Sequence, residues 1–136
     1  MVLTSTDCSD YFDNKPNCFR VQLNKQIPFE GYWSVALTEF STESWISSKK
    51  KSELFVCCDI CEETIVGGKD APLLRRVCLG QNPENIAFTV PYYIPVKICE
   101  LQQICIYITD REGNLVSFLD GPVTVTLHFK KFPYVL

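Results

Sequence analysis

The side chains best suited to chemistry are the three thiols of the segment Cys57-Cys58-Asp59-Ile60-Cys61, where Cys58 and Cys61 have the C-x-x-C spacing of zinc ligands and redox pairs. A structural zinc ion takes four ligands, and the sequence holds neither a second C-x-x-C nor a histidine nearby. If the segment is a strand, Cys57 and Cys58 point to opposite faces. We therefore keep Cys57, Cys58 and Cys61 only as weak candidate metal ligands, and we expect neither a metal nor another cofactor.

Outside the cysteines, the sequence contains no pattern typical of catalysis. His128 is the only histidine, and it falls at a polar strand position. The G-x-S-x-G motif is absent, and Gly67-Gly68 lacks the flanking residues of a phosphate-binding loop. The acidic residues that follow Cys58 lack the spacing of a calcium-binding loop. We therefore expect that the protein is not an enzyme.

The start of the chain and the cysteines together suggest a reducing compartment. The residues after Met1, Val-Leu-Thr-Ser-Thr-Asp, have neither the basic start nor the apolar stretch of a secretory signal. We therefore expect synthesis in the cytoplasm, where thiols stay reduced. Several of the eight cysteines also stand at apolar strand positions, as Cys105 does in Gln-Ile-Cys-Ile-Tyr-Ile. We expect free thiols.

Charge and hydropathy limit the classes of partner. The formal net charge is −3, and the only run of basic residues is Lys49-Lys50-Lys51. Specific nucleic-acid binding needs a basic stripe to displace counterions, so we do not expect it. No apolar run approaches the ~20 residues that span a bilayer, so we expect no membrane span.

Apolar residues that alternate with polar ones predict an all-β protein. In Gly31–Phe40 the side chains of Trp33, Val35 and Leu37 share one face, and a similar alternation occurs in Leu101–Thr109. Turn signals separate about eight such strands, a spacing typical of an antiparallel sandwich or barrel. We expect Gly121-Pro122 to break the chain before the last strand.

The sequence also predicts a simple domain organisation. Residues 1–17 are polar and are expected to form a flexible N-terminal arm. Residues 18–131 are expected to form a single domain. Residues 132–136 are an apolar C-terminal tail, which either folds back on its own chain or docks on a partner.

Five aromatic residues are candidate interface residues because they fall at loops or beyond the last strand. They are Trp45, Tyr92, Tyr93, Phe132 and Tyr134. Aromatic side chains anchor many protein interfaces, and sugars stack on them. A β-sandwich module that binds a ligand or receptor, such as a glycan on a host cell, is therefore the alternative to a subunit that packs against other subunits.

The order of four segments resembles a known family. They are FRVQLNKQIPFEGYWSVALTEFSTESW, LFVCCDICEETIVGGKDAPLLRRV, FTVPYYIPV and ICIYITDREGNLVSFLDGPVTVTLHFKK. The phrase D-x-x-G-x-x-V-x-F before V-T-L-H-F is part of the likeness. Over about residues 18–131 the chain resembles the minor capsid, or penton, proteins of Polinton/Maverick elements and adintovirus-like viruses.

This resemblance implies a fold, an assembly and a location. The fold would be a single jelly-roll sandwich of antiparallel strands. The assembly would be a homopentamer at the vertices of an icosahedral capsid, where it fills the opening left by a double jelly-roll major capsid protein. The protein would be part of the virion, made in the host cytoplasm and assembled in the cytoplasm or the nucleus.

Overall fold

The computed structural model describes residues 1–8, 10–45, 52–79, 85–116 and 119–131. Within these ranges the regular secondary structure consists of β-strands. The strands, numbered in chain order, are β1 (Val2–Thr4), β2 (Cys18–Pro28), β3 (Trp33–Trp45), β4 (Ser52–Cys58), β5 (Thr64–Val66), β6 (Lys69–Ala71), β7 (Leu73–Leu79), β8 (Asn85–Ala87), β9 (Ile94–Pro95), β10 (Glu100–Thr109) and β11 (Leu119–Lys131).

These strands form two larger sheets and one separate hairpin. The first sheet has the order β1-β11-β3-β8, and β9 also pairs with β3. The second sheet has the order β2-β10-β4-β7, and β5 pairs only with β6 among the described strands. Every ladder is antiparallel. The predicted all-β class with antiparallel sheets is therefore confirmed.

The strand pairs are nested along the chain. The first strand pairs with the last, β2 with β10, β3 with β8 and β9, and β4 with β7, and the β5–β6 hairpin lies innermost. Two further ladders, β11–β3 and β10–β4, join neighbouring pairs into the two sheets. Consequently the first four strands alternate between the sheets as the chain proceeds.

Side chains from both sheets share one apolar core. The largest ladder joins β3 to β11, and it contributes the inward-facing Val35, Leu37 and Leu127. The second sheet contributes a matching set from β2, β4, β7 and β10: Phe19, Val21, Leu54, Val56, Leu74, Val77, Leu101, Ile104, Ile106 and Ile108. Burial of this apolar surface is the main force that holds the two sheets together.

Our expectation that Gly121-Pro122 would break the chain was wrong. Strand β11 continues through both residues, and its register against β3 shifts between Asp120 and Val123, as a β-bulge requires. Gly121 has a φ of 74°, which a glycine adopts without the clash of a Cβ. Proline cannot donate a ladder hydrogen bond, and the bulge takes Pro122 out of the regular ladder.

The first residues also differ from the expected arm. Strand β1 pairs with β11, and Leu3 is 2 % exposed within the core. The amino group of Met1 donates a hydrogen bond to the Leu127 carbonyl, and the Leu127 N–H donates to the Met1 carbonyl. The apolar residues Met1, Val2 and Leu3 are consecutive and do not alternate with polar ones, so the sequence carried no period-two signal for this strand.

The edge strands β8 and β9 are short because prolines interrupt them. β8 ends at Ala87, and the chain rejoins β3 only at Ile94. Pro91 lies between them, and Pro95 pairs with Ser34 at the open edge of the sheet. Proline is tolerated at an edge because its missing N–H would face outward there. The Phe88 N–H still donates to the Thr38 carbonyl of β3 at 2.9 Å, and the rest of the connection to β9 leaves the ladder and is available for other contacts.

Candidate functional site

An exposed group of residues, here called the edge patch, joins the two sheets along one side of the molecule. It consists of Arg75, Phe88, Val90 and Tyr92. The guanidinium carbon of Arg75 lies 3.9 Å from the centre of the Phe88 ring and 4.0 Å from that of Tyr92. Arg75 Nη1 also donates a 2.8 Å hydrogen bond to the Val90 carbonyl. The Arg75 side chain, on β7, therefore holds the segment between β8 and β9 in place.

The edge patch leaves apolar surface accessible. Val90 is 63 % exposed and Tyr92 is 57 % exposed. Arginine and tyrosine are the residue types most enriched where proteins bind one another. The patch can therefore bind by ring stacking and hydrogen bonding. It contains no nucleophile beside a base, so it offers no means of covalent catalysis.

The neighbouring Tyr93 points to a different surface, the outer face of the first sheet. Its hydroxyl shares a 2.8 Å hydrogen bond with His128 Nδ1, and Lys130 Nζ lies 5.4 Å from the centre of its ring. His128 is opposite Ala36 in the β3–β11 ladder. Ala36 is fully buried although it alternates with the inward-facing Val35. The Tyr93–His128 pair thus covers the outer face at this point.

A pocket, here called the end pocket, opens at the end of the molecule where β3 begins and β11 ends. It has a volume of about 550 Å³. Its lining is largely apolar, with one acidic and one basic side chain: Phe29, Gly31, Tyr32, Trp33, Glu62, Pro95, Val96, Lys97, Ile98 and Cys99. This size and composition are typical of a pocket that binds an apolar group.

Backbone hydrogen bonds between distant segments build the end pocket. The Val96 N–H donates to the Trp33 carbonyl at 2.9 Å, and the Phe29 N–H donates to the Cys99 carbonyl at 2.8 Å. Behind the pocket, the Phe29 ring packs on Trp33 and on Phe129, with ring centres 5.2 and 5.3 Å apart. The pocket wall is therefore tied to the core by an aromatic cluster.

The three clustered cysteines are buried, and they occupy two different environments. Cys58 and Cys61 belong to the core, and the chain turns between them with a 3.1 Å hydrogen bond from the Cys61 N–H to the Cys58 carbonyl. Cys57 faces the other side of the sheet, opposite Tyr107, beneath the β5–β6 hairpin. The predicted opposite facing of Cys57 and Cys58 is confirmed.

Burial also favours the protonated form of the Cys57 and Cys58 thiols. It raises the pKa of the Cys57 thiol to about 11, with the nearby Cys61 as a second cause. Burial likewise raises the pKa of Cys58. Metal binding needs the thiolate, and no group of three or more potential metal ligands occurs within the described residues. All eight cysteines carry free thiols in this structure.

An exposed ionic cluster lies beside the hairpin. Glu53 Oε2 accepts a 2.5 Å hydrogen bond from Arg76 Nε, and Arg111 Nη2 lies 3.3 Å from Glu53 Oε1. The hydrogen bond from Arg76 is the main reason why the pKa of Glu53 is lowered. Both arginines are exposed and Glu53 is partly exposed, so water screens their attraction. Such surface ion pairs contribute little to stability.

The structure describes the side chains of only two of the five predicted interface residues, Tyr92 and Tyr93, and their role at an interface stays a prediction. Tyr92 and Tyr93 are adjacent in sequence but serve separate surfaces. The Trp45 side chain, Phe132 and Tyr134 lie outside the described residues. The end pocket was not predicted, since its walls come from three separate segments of the chain. The only local signal was the apolar Ile-Pro-Phe-Glu-Gly link before β3.

No family model, no curated protein and no solved structure matches this chain. Within the described ranges, no helix has the length and apolar character needed to cross a membrane.

Proposed function

We propose that this chain is a single jelly-roll capsid protein that forms the pentameric penton at the vertices of an icosahedral virion. The observation that carries the proposal is the nested pairing of the strands. A jelly-roll arises when a long antiparallel hairpin is rolled up. The first strand then pairs with the last, the second strand pairs with the second-to-last, and successive pairs belong to opposite sheets. Jelly-rolls are frequent in viral capsid proteins.

The strand order supports this topology in detail. The pairs β1–β11 and β3–β8 belong to one sheet, and the pairs β2–β10 and β4–β7 belong to the other. The β5–β6 hairpin is then an insertion in the innermost connection. A fold alone does not define a function, so the capsid role rests on this topology together with the sequence resemblance.

The two long sides of the molecule suggest how copies contact one another. One side carries the edge patch, with Val90 and Tyr92 exposed. The opposite side is formed by β1, β2 and their connection, where Val2 is 63 % and Tyr11 is 85 % exposed. A closed ring repeats one head-to-tail interface, so two different apolar sides suit it better than a single self-complementary patch.

The assembly state tests this proposal. In native mass spectrometry we expect a species with five times the mass of the 15.6-kDa chain. Tyr92→Glu on one side, or Tyr11→Glu on the other, should reduce it to monomer because a buried charge opposes the interface. Ile65→Ser, at an exposed position of the hairpin, is the matched control and should leave the pentamer intact. A wild-type chain that stays monomeric even with a double jelly-roll major capsid protein would contradict the proposal.

A second candidate function is a ligand-binding module for glycans or a host receptor. The exposed ring of Tyr92 beside the guanidinium of Arg75 favours it, since sugars stack on aromatic faces and accept hydrogen bonds from arginine. Binding on a glycan array that disappears with Tyr92→Ala would support this function. An array without binding, measured on correctly assembled protein, would exclude glycans as the ligand.

A further inference from the structure

We infer that the β5–β6 hairpin is a lid that opens while the rest of the molecule stays folded, and that its opening exposes a buried part of the second sheet. The inference concerns motion within one chain and does not depend on the proposed capsid function. It rests on three observations: what the hairpin covers, how loosely it is attached and where the chain on either side of it is anchored.

The outer face of the second sheet carries a small buried cluster that is separate from the core. Phe55 and Cys57 of β4 are 4 % and 1 % exposed, and neither is a member of the core cluster that the two sheets share. Thr109 of β10 lies opposite Phe55 in the β4–β10 ladder and is also buried. Side chains on the outer face of a sandwich are ordinarily solvated. A layer other than the first sheet must therefore cover these three residues.

The hairpin and the loop after β10 form this covering layer. A cavity of about 250 Å³ lies between the layer and the sheet. Its lining includes Cys57 and Tyr107 from the sheet, Val66 and Ala71 from the hairpin, and Arg111 from the loop. A space of this size means that the hairpin packs on the sheet less completely than side chains pack in a protein interior. Movement of the hairpin away from the sheet would expose Cys57.

The hairpin is attached only loosely to the rest of the molecule. Among the described strands, β5 and β6 pair only with each other, so no ladder of hydrogen bonds joins them to either sheet. Within the two strands only Val66 and Ala71 are partly buried, and the other residues are exposed. The tip rests on the loop after β10, since a Cβ on Gly67 would overlap the Arg111 carbonyl oxygen. A segment with so few buried contacts opens at a lower free energy than the core.

Backbone hydrogen bonds anchor the chain on both sides of the hairpin. Before β5, the Glu62 N–H donates to the Pro95 carbonyl at 3.0 Å. After β6, the Pro72 carbonyl accepts a 3.0 Å hydrogen bond from the Cys58 N–H. These bonds do not involve β5 or β6, so they persist while the hairpin moves away from the sheet. The motion is thereby confined to the segment between Glu62 and Pro72.

Reaction of Cys57 with a maleimide tests the inference. Cys58 belongs to the core and reports unfolding of the whole molecule, whereas Cys78 is an exposed thiol on β7 and reports the unprotected rate. Tandem mass spectrometry assigns the label to each site after limited reaction. Cys57 should label about tenfold or more faster than Cys58, because local opening requires less free energy than global unfolding, and it should label more slowly than Cys78. Below the unfolding transition, urea should accelerate Cys57 much less than Cys58, because opening the lid exposes little surface.

Three variants show which motion controls each rate. Val66→Ser should accelerate Cys57 about fivefold, because it removes an apolar contact on the cavity side of the lid. Ile65→Ser is the matched control on the same strand and should leave the Cys57 rate unchanged, since Ile65 is 72 % exposed. Val35→Ala, in the core, should accelerate Cys58 but not Cys57, because the state with an open lid keeps its core and is destabilised equally.

Three outcomes would overturn the inference. Equal rates for Cys57 and Cys58 in the wild-type chain, with the same dependence on urea, would mean that the hairpin opens only when the whole molecule unfolds. Equal acceleration of Cys57 and Cys58 by Val35→Ala would have the same meaning. A wild-type Cys57 rate equal to that of Cys78 would mean that the hairpin does not cover Cys57 in solution.

Discussion

The guanidinium carbon of Arg75 lies 4.0 Å from the centre of the Tyr92 ring. Arg75 belongs to β7, the edge strand of the second sheet, whereas Tyr92 belongs to the connection between β8 and β9 at the edge of the first sheet. One side chain thus links the two sheets along the side where their edges are open. The same contact presents Tyr92 at the surface that we propose for the subunit interface.

Replacement of Arg75 should loosen this connection. Arg75→Lys keeps the charge but loses the planar group that stacks on two rings, a contact worth about 1 kcal/mol. We expect faster hydrogen exchange at the amides of residues 88–93 and unchanged exchange in the β3–β11 ladder. Arg76→Lys, one residue away and paired with Glu53, is the control. Unchanged exchange in residues 88–93 would show that Arg75 does not hold this segment.

The two glycines of the β5–β6 turn allow a paired test of the hairpin position. Gly67 and Gly68 both have positive φ, 57° and 82°. A Cβ on Gly67 would overlap the Arg111 carbonyl oxygen, whereas a Cβ on Gly68 would meet open space. Both substitutions by alanine carry the left-handed backbone penalty of about 1–2 kcal/mol, and only Gly67→Ala adds a clash. In urea unfolding, Gly67→Ala should therefore be clearly less stable than Gly68→Ala. Equal stabilities would mean that the hairpin does not rest on the loop of Arg111.

Much of the core was predictable because alternation is a local signal. The facing of Val35 and Leu37 follows from a period of two along one strand, as does the separation of Cys57 from Cys58. Trp33 continues the same alternation, yet it is only partly buried because it stands at the strand end beside the pocket. A local pattern predicts which face of the sheet a side chain is on, but it does not predict how deeply that side chain is buried.

The features that the sequence did not reveal depend on distant partners. The bulge at Gly121 exists because β11 must match β3 on both sides of Pro122, and strand β1 exists because β11 offers it an edge. The end pocket likewise needs the connection before β3 to lie beside the connection after β9. None of these long-range pairings produces a recognisable pattern in the local sequence.

The buried thiol of Cys57 predicts a loss of stability in alkali. Its pKa is raised to about 11 from an ordinary value of 9.0. Above pH 9 the unfolded chain releases this proton while the folded chain retains it, so the free energy of unfolding falls as the pH rises from 9 to about 11. The contribution lost is at most about 2–3 kcal/mol.

A pair of variants isolates this contribution from the other groups that titrate in alkali. Cys57→Ala should flatten the fall in the free energy of unfolding between pH 9 and 11, measured by urea unfolding at each pH. Cys78→Ala, which removes an exposed thiol, should leave the slope unchanged. If Cys57→Ala and the wild type have the same slope, the Cys57 thiol is not protected from ionisation in the folded protein.

The central claim, that copies of this chain close into a five-membered ring, is tested most directly by electron microscopy of the purified protein. Class averages viewed along the ring axis should have five-fold rotational symmetry, with the β7–β8 side of each copy against the β1–β2 side of the next. Averages with two-fold symmetry, or a field of monomers that a double jelly-roll major capsid protein does not recruit, would contradict it.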